Sequence, residues 1–583
     1  MKRDLAQLSS KPFDLVVVGG GIFGACAAWD AVQRGLTVAL IDRSDFGSAA
    51  SANSFKLIHG GIRYIQHGDV ARVRQSANER RTLMRIAPHL VHPLPIVIPT
   101  YGRGMKGKSA LRVGMGIYDL LTWDRNQGVE DPERHVPSSG ILSLNEVLTL
   151  FPELNRNELT GAAMFRDGQM YNPPRLVLAF IQKAVGAGAV AANYVEATGF
   201  LRKDDRITGV IAHDTLSGAN LEIQGRVVLN TTGPYAESLL RRAMSLRLSP
   251  PGAYSRDAFF VVPRRLLHDR FALAVQAKTK DPDALVSRGE RHLFIVPWRH
   301  YTLIGTWHKV HTDDPDAYSV TEGNLQGFFD EINAGYPALR ISFDDVSFWN
   351  AGLIPFGENP RDAADLRFAH RSRLVDHAET HGLDNLISLI GVRFTTGRCE
   401  AAQAVNRVFE KLGIRPPASR TADLPIQGGD FVTWSGLVRR IEGEHGASLG
   451  ADVVQSLAHN YGSDCGQVCR HMTEHPDLGE RLGTSATIKA QVVHAIRSEM
   501  AQTLSDIIFR RTDLATGEYP GPVALEQCAE ILRSELSLSH EEISRQIDAV
   551  TARFPRWALQ KAADEAQQCG VAGVPVSPRH AGG

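Results

Sequence analysis

Cysteine is scarce: six in 583 residues, at Cys26, Cys399, Cys465, Cys469, Cys528 and Cys569. That excludes a disulfide scaffold and fits free thiols in a reducing cytoplasm. Cys465 and Cys469 form a CxxxC, which at helical spacing places two thiols on one face rather than making a redox pair. No N-terminal leader with a basic end, an apolar core and a cleavage site is visible. No apolar run approaches the ~18 residues that span a bilayer, so any contact with a membrane is expected from one side, and no basic amphipathic helix stands out to make it. Net charge is also missing, with 64 Lys plus Arg against 64 Asp plus Glu. Nothing recruits nucleic acid over distance, and a polyanionic ligand must be held locally. His308 and His311 stand at HxxH spacing without an obvious third ligand, so no metal is expected.

What is present is an ordinary globular composition, 43% hydrophobic and 22% charged, in a chain long enough for roughly three to four structural units. "FDLVVVGG" and "TVALID" (Thr37 to Asp42) are apolar, β-branched runs suited to a parallel sheet buried on both faces. The segment between them reads as a helix ending at Gly35. Strand, tight turn and helix recur at Gly225–Leu240 and at Leu386–Gly413, where Ala401, Ala404, Val405, Val408, Phe409 and Leu412 make one apolar helix face. A Pro/Gly-rich linker (Gly413–Gly429) follows. Beyond it, Ile488, Val492, Ile496, Met500, Leu504, Ile507 and Ile508 trace a stripe on one long helix, and Ser539 with Glu542 opens another.

The fold class expected is α/β. A discontinuous dinucleotide-binding, Rossmann-like domain takes residues 10–95, 160–250 and 350–415, and an inserted α+β substrate domain takes 96–159 and 251–349. A helical domain takes 430–570, and 571–583 form a disordered tail.

Gly19, Gly21 and Gly24 form GxGxxG at the first strand-to-helix turn. One glycine makes the turn, one admits a pyrophosphate to the backbone, and one lets helix and strand close together. The helix N-terminus then offers unpaired amides to the phosphate. Asp42, 18 residues after Gly24, ends the second strand where a carboxylate accepts ribose hydroxyls and disfavours a 2′-phosphate. These features point to a dinucleotide without choosing between NAD and FAD.

The choice comes from "SANSFKLIHGGIRYIQHG" (Ser51 to Gly68). With the glycine turn before it, "APHL" (Ala87–Leu90), "NTTGP" (Asn230–Pro234), "IVPW" (Ile295–Trp298), "IGT" (Ile304–Thr306), "GVRFTTGR" (Gly391–Arg398), "HNYGSD" and "EMAQTLSDIIFRRTDL", it closely resembles the FAD-dependent glycerol-3-phosphate dehydrogenases over nearly the whole chain. The resemblance implies FAD held by Gly19, Gly21, Gly24, Asp42, Arg43, Ser51, Ser54, Lys56, Leu57, Gly60, Gly61, Gly233, Gly391 and Thr396. Ser51, Ser54 and Lys56 would offer donors, while Gly60 and Gly61 would let backbone approach the isoalloxazine. It implies His59, Arg63, Tyr64, Arg393 and Thr395 at the catalytic face, with Arg63 able to bind an anion. It also implies a polyol phosphate as the small-molecule substrate, a quinone as electron acceptor, and a cytoplasmic protein peripheral to the inner face of the cytoplasmic membrane.

The sequence departs from the family on the substrate side. "AGLIPF" (Ala351–Phe356) has Ile354 where the family carries a phosphate-binding arginine. Phe259 replaces a histidine before "VVPR", a candidate proton acceptor. Trp307 and His308 replace Thr-Asp. Arg393 replaces the lysine of "GGKLTT", keeping charge but not shape, and "NPPR" (Asn172–Arg175) replaces "DDAR". Loss of one arginine–phosphate contact costs roughly 1.5–3 kcal/mol unless another cation substitutes. A changed substrate is therefore open, as are two alternatives: a flavin oxidase or dehydrogenase acting on an amine or amino acid, and a non-enzymatic protein keeping FAD for stability. Retention of His59, Arg63, Tyr64 and Arg393 argues against the last.

Overall fold

A computed structural model of the chain describes residues 1–102, 108–248, 253–280, 290–311, 314–356 and 371–568. The tail expected at 571–583 lies outside them. The elements that matter run in chain order as β1 (Phe13–Val18), α1 (Ile22–Gln33), β2 (Val38–Ile41), β3 (Leu57–Ile58), α2 (Val70–Ile86), β4 (Val91–Tyr101), α3 (Lys108–Leu121), β5 (Leu159–Met170), β6 (Val190–Ala192) and β7 (Asn220–Asn230). They continue with β8 (Ala253–Val262), β9 (Ala272–Lys280), β10 (Glu290–Trp298), β11 (Tyr301–His311), β12 (Phe348–Phe356), β13 (Arg373–Asp376), β14 (Leu386–Ile390) and α4 (Gly397–Lys411).

Two sheets carry the site. The first has the order β13-β14-β7-β1-β2-β6, parallel from β14 to β6, with β13 antiparallel at its edge. Its central strand is buried on both faces, as the unbroken valine run requires. Leu15 and Val17 pack with Ala25 and Ala28 of α1 and Ala401 and Val405 of α4. Val16 and Val18 face Leu239 and Leu240 on the opposite side. The second sheet has the order β12-β8-β11-β10-β9-β4-β5-β3 and is covered by Phe328, Phe329 and Ile332 of a flanking helix.

The domain boundaries expected at 95, 160 and 350 fall inside β4, β5 and β12, all members of the second sheet. In β4 the reason is chemical: Pro93, Pro95 and Pro99 cannot donate to a ladder, and a proline-rich run reads poorly as a strand. It pairs nonetheless along its length with β5 and joins the β9 ladder at Ile96 and Val97.

After the 413–429 connection the chain is helical from Trp434–His445 through Arg556–Gln568. The single long helix expected through Ile488–Ile508 is broken. Lys489–Glu499 is helical, Met500 turns left-handed at φ 57°, and a separate turn then leads into a π-helix over Ile507–Arg511. All seven stripe residues are buried, so the apolar pattern came from packing on both sides of a bend. The bend brings Arg510 and Arg511 onto the buried carboxylate of Asp45, each at 2.7 Å. These pairs hold the Asp45 carboxyl well below the usual range despite its burial. Beside them Arg175 forms a buried pair with Glu499 at 2.7 Å, so the helical domain is clamped to the first sheet. Cys465 and Cys469 are buried free thiols on one helix.

Candidate functional site

A cavity of about 730 Å³ opens between the two sheets, at the carboxyl ends of β1, β2 and β7, where open α/β sheets bind ligands. Gly19 adopts φ +102°, and a Cβ there would stand 2.9 Å from the Thr231 backbone. A Cβ on Gly24 would lie 1.8 Å from the Gly19 carbonyl oxygen, so α1 reaches β1 only because that residue is glycine. Asp42 accepts the amides of Gly20 at 2.6 Å and Ser44 at 2.9 Å. Burial pushes its carboxyl up to about 6 against these bonds. Ser51 accepts the Ile22 amide at 3.0 Å, which ties the loop to the first turn of α1. Arg43 pairs with Asp316 at 2.5 Å and lies 4.2 Å over the Tyr235 ring. Glycines, helix amides, a carboxylate at the end of β2 and a cavity of this volume fit a dinucleotide cofactor.

Phe55, Leu57 and His59 turn toward the cavity with Ser51 and Ser54. Lys56, assigned to FAD from the sequence, turns the other way. It is buried, its ammonium is 4.7 Å from the rings of both Phe259 and Trp298, and burial with nearby Arg299 lowers it to about 7. Gly60 and Gly61 also face protein. A Cβ on Gly60 would collide with Arg80, Tyr118 and Asp167, and one on Gly61 with Ser76 and Val73. Their glycine character thus serves packing under the segment. Gly24 acts likewise, and neither Arg63 nor Thr396 lines the cavity. Backbone turns on either side of β3, with Lys56 at φ 62° and Gly61 at φ 86°, explain the division, and the sequence motif alone does not display them.

His59 is held on three sides. Its amide donates to Thr395 Oγ1 at 3.0 Å, its ring stacks on Tyr64 at 5.9 Å, and Nδ1 accepts the Gly61 amide at 2.8 Å. Burial lowers its pKa, outweighing Asp167 nearby. With Nδ1 accepting the Gly61 amide, a neutral ring carries its proton on Nε2. Arg393 donates to Ser76 Oγ at 3.0 Å and Gln75 Oε1 at 3.1 Å and sits 5.4 Å over the Tyr64 ring. It lines the cavity with Tyr64, Ser76 and Thr395, whereas Gly233 and Gly391 line its first-sheet side. A Cβ on Gly391 would overlap the Phe23 ring, which stands 1.9 Å away.

The second sheet closes the cavity with Asp257, Phe259, Thr306 and Ile354. Asp257 carried no motif and escaped sequence reading; only its register opposite His308 reveals it. Arg553, from the C-terminal helical domain, also reaches the cavity; its 300-residue separation from β8 left no sequence signal. His308 and His311 go to separate partners, Asp257 and the Asp314 carbonyl.

Comparison with known proteins matches this geometry. The model of the family described as FAD dependent oxidoreductase covers residues 14–391. The C-terminal domain of alpha-glycerophosphate oxidase covers 419–543. Fold and site thus define an FAD-dependent oxidoreductase with an appended helical domain. The glycerol-3-phosphate dehydrogenase of Synechocystis is 32% identical over 555 residues, 94% of this chain and 97% of that one. The mitochondrial glycerol-3-phosphate dehydrogenase of Homo sapiens is 30% identical over 94% of this chain and 74% of its own. The crystal structure of the glycerol-3-phosphate dehydrogenase from Bacillus halodurans complexed with FAD superposes with a TM-score of 0.73 at 25% identity, covering 94% and 96% of the two chains. The chain belongs to the glycerol-3-phosphate dehydrogenase family of FAD-dependent oxidoreductases, and its cofactor is FAD.

Proposed function

We propose that the protein oxidises sn-glycerol 3-phosphate to dihydroxyacetone phosphate and passes the electrons to a quinone at a membrane surface. The observation that carries this reading is Arg393. It places a guanidinium on the cavity wall beside Tyr64, Ser76 and His59, a cation for the phosphate that Ile354 does not supply. The names of the relatives, glycerol-3-phosphate dehydrogenases along most of the chain, support the same substrate. FAD, when bound, accepts the hydride from the substrate carbon. The chain's residues do the rest: Arg393 anchors the phosphate, and His59, through Nε2–H, holds the oxygen that becomes the ketone. Phe55, Phe259 and Ile354 keep the reacting carbon in apolar surroundings.

The membrane side of the reading rests on α3. This helix exposes Val113, Ile117 and Leu120 on one face, continued by Trp123 at 75% exposure, with Arg112 exposed beside them. Such a face lies flat on anionic lipid. Among the described residues no helix is long and apolar enough to cross a membrane. Turnover with sn-glycerol 3-phosphate and a soluble ubiquinone analogue tests the reaction. Quinone reduction without peroxide is expected, whereas electrons going only to oxygen, with peroxide released, would overturn it. Flotation with anionic vesicles, lost in L120E/W123E, tests the docking face.

A further inference from the structure

Resting on the proposed alcohol oxidation, we infer that Thr306, His308 and Asp257 form the proton relay of the reaction. Phe259 and Trp307 remove the side chains that the family pattern places here, yet an acid and an imidazole remain in the same wall with their strands exchanged. The family's acidic position 308 now carries the imidazole, and the carboxylate stands across the ladder at Asp257.

Asp257 and His308 are register partners of β8 and β11. His308 Nδ1 lies 2.7 Å from Asp257 Oδ1, which also accepts the Ser255 hydroxyl at 2.5 Å. A carboxylate acceptor at Nδ1 fixes the proton there and leaves Nε2 as the acceptor. Nε2 lies 3.3 Å from Thr306 Oγ1, so the hydroxyl donates to the ring. The register shifts between Ala258 and Phe259, from Trp307 to Gly305 as partner, which makes Thr306 the extra residue of a β-bulge. Bulges re-aim side chains beside active sites, and Thr306 lines the cavity with Asp257. Hydroxyl, imidazole and carboxylate are thus in line, with the hydroxyl at the cavity, an arrangement in which the base acts through an oriented partner. His59 cannot take this part in its present tautomer, because Nδ1 accepts the Gly61 amide and Nε2 bears the proton.

The step balances. The substrate hydroxyl proton passes to Thr306 Oγ1 while the Thr306 proton passes to His308 Nε2. The carbon-bound hydrogen leaves with its electron pair to FAD, and the alcohol becomes the ketone. The imidazolium formed is paired with Asp257 and later releases its proton to solvent. Thr306 touches the substrate; His308 and Asp257 act through it.

The test uses FAD-loaded protein under anaerobic conditions, with flavin reduction by sn-glycerol 3-phosphate followed by stopped flow. H308Q and T306V should slow reduction roughly 10²- to 10⁴-fold with little change in half-saturating substrate. T306S should keep most of the rate, and imidazole should restore part of it in H308A. Wild-type rates in T306V and H308Q, or a change confined to half-saturation, would overturn the relay. Nitrogen NMR of the histidines needs no substrate and should find His308 protonated at Nδ1; protonation at Nε2 would also overturn it. If wild-type flavin is not reduced at all, the substrate reading fails instead, and the tautomer still decides the relay.

Discussion

The two walls of the cavity obey different rules. On the first-sheet side backbone geometry fixes key positions: Gly24, packed behind the wall, because a Cβ would meet the Gly19 carbonyl, Gly391 because one would meet Phe23, Asp42 because it closes two amides. On the second-sheet wall the ladder of β8, β11 and β12 sets which positions face the cavity but not their identities: Phe259 and Ile354 line it, His308 bonds to Asp257 and Thr306, and Trp307 stacks on Phe328 on the opposite face. At Gly24 and Gly391 a larger side chain would displace backbone or a packed ring. The proposed relay moves the chemistry of the substrate wall to the neighbouring residues Thr306, His308 and Asp257.

The contrast is sharpest at Gly24. Gly24→Ala should yield protein without flavin, read as the absence of the ~450 nm band after purification. A retained band would mean the cofactor wall is as plastic as the other. On the substrate side, Arg393→Leu should raise the sn-glycerol 3-phosphate concentration for half-reduction roughly tenfold to a hundredfold, the worth of one charged contact. An unchanged value would place the phosphate elsewhere. Asp42 gives an effect of intermediate size. With its carboxyl raised to about 6 by burial, it is ionised and able to accept ribose hydroxyls above that pH and loses this as pH falls through it. FAD affinity should therefore drop roughly tenfold between pH 7 and pH 5, as followed by flavin fluorescence, and be flat with pH in D42N. The smallest effect is expected from Ile354→Arg, since the proposed reading already has Arg393 as the cation. In the R393L background the same change should recover affinity, and a gain of similar size in both backgrounds would show that the two positions do not share one phosphate.

How far the sequence reached follows the same division. The glycine turn, its acid, the parallel strands and the helical C-terminal region are local patterns, and each is found where its spacing put it. β4 was obscured by three prolines and the Lys489–Glu499 helix by an apolar stripe that runs on past its break at Met500. Lys56, Gly60 and Gly61 share a motif with His59, but left-handed backbone at Lys56 and Gly61 and close packing around Gly60 turn them away from the cavity. Asp257 and Arg553 became visible only through register and a docked helix, neither of which leaves a local mark in the chain, and Thr306, although part of the "IGT" motif, shows its place at the cavity only through the bulge.

One measurement bears most directly on this reading: anaerobic titration of the FAD-loaded protein with sn-glycerol 3-phosphate and, separately, with glycerol, following the flavin band. Rapid bleaching by the phosphate ester at micromolar to low-millimolar concentration, with glycerol inert, is the result required by a cation at Arg393 in place of Ile354. Bleaching by neither compound, in protein whose flavin dithionite still reduces, would contradict it and turn the departures at Ile354 and Phe259 into marks of a different substrate.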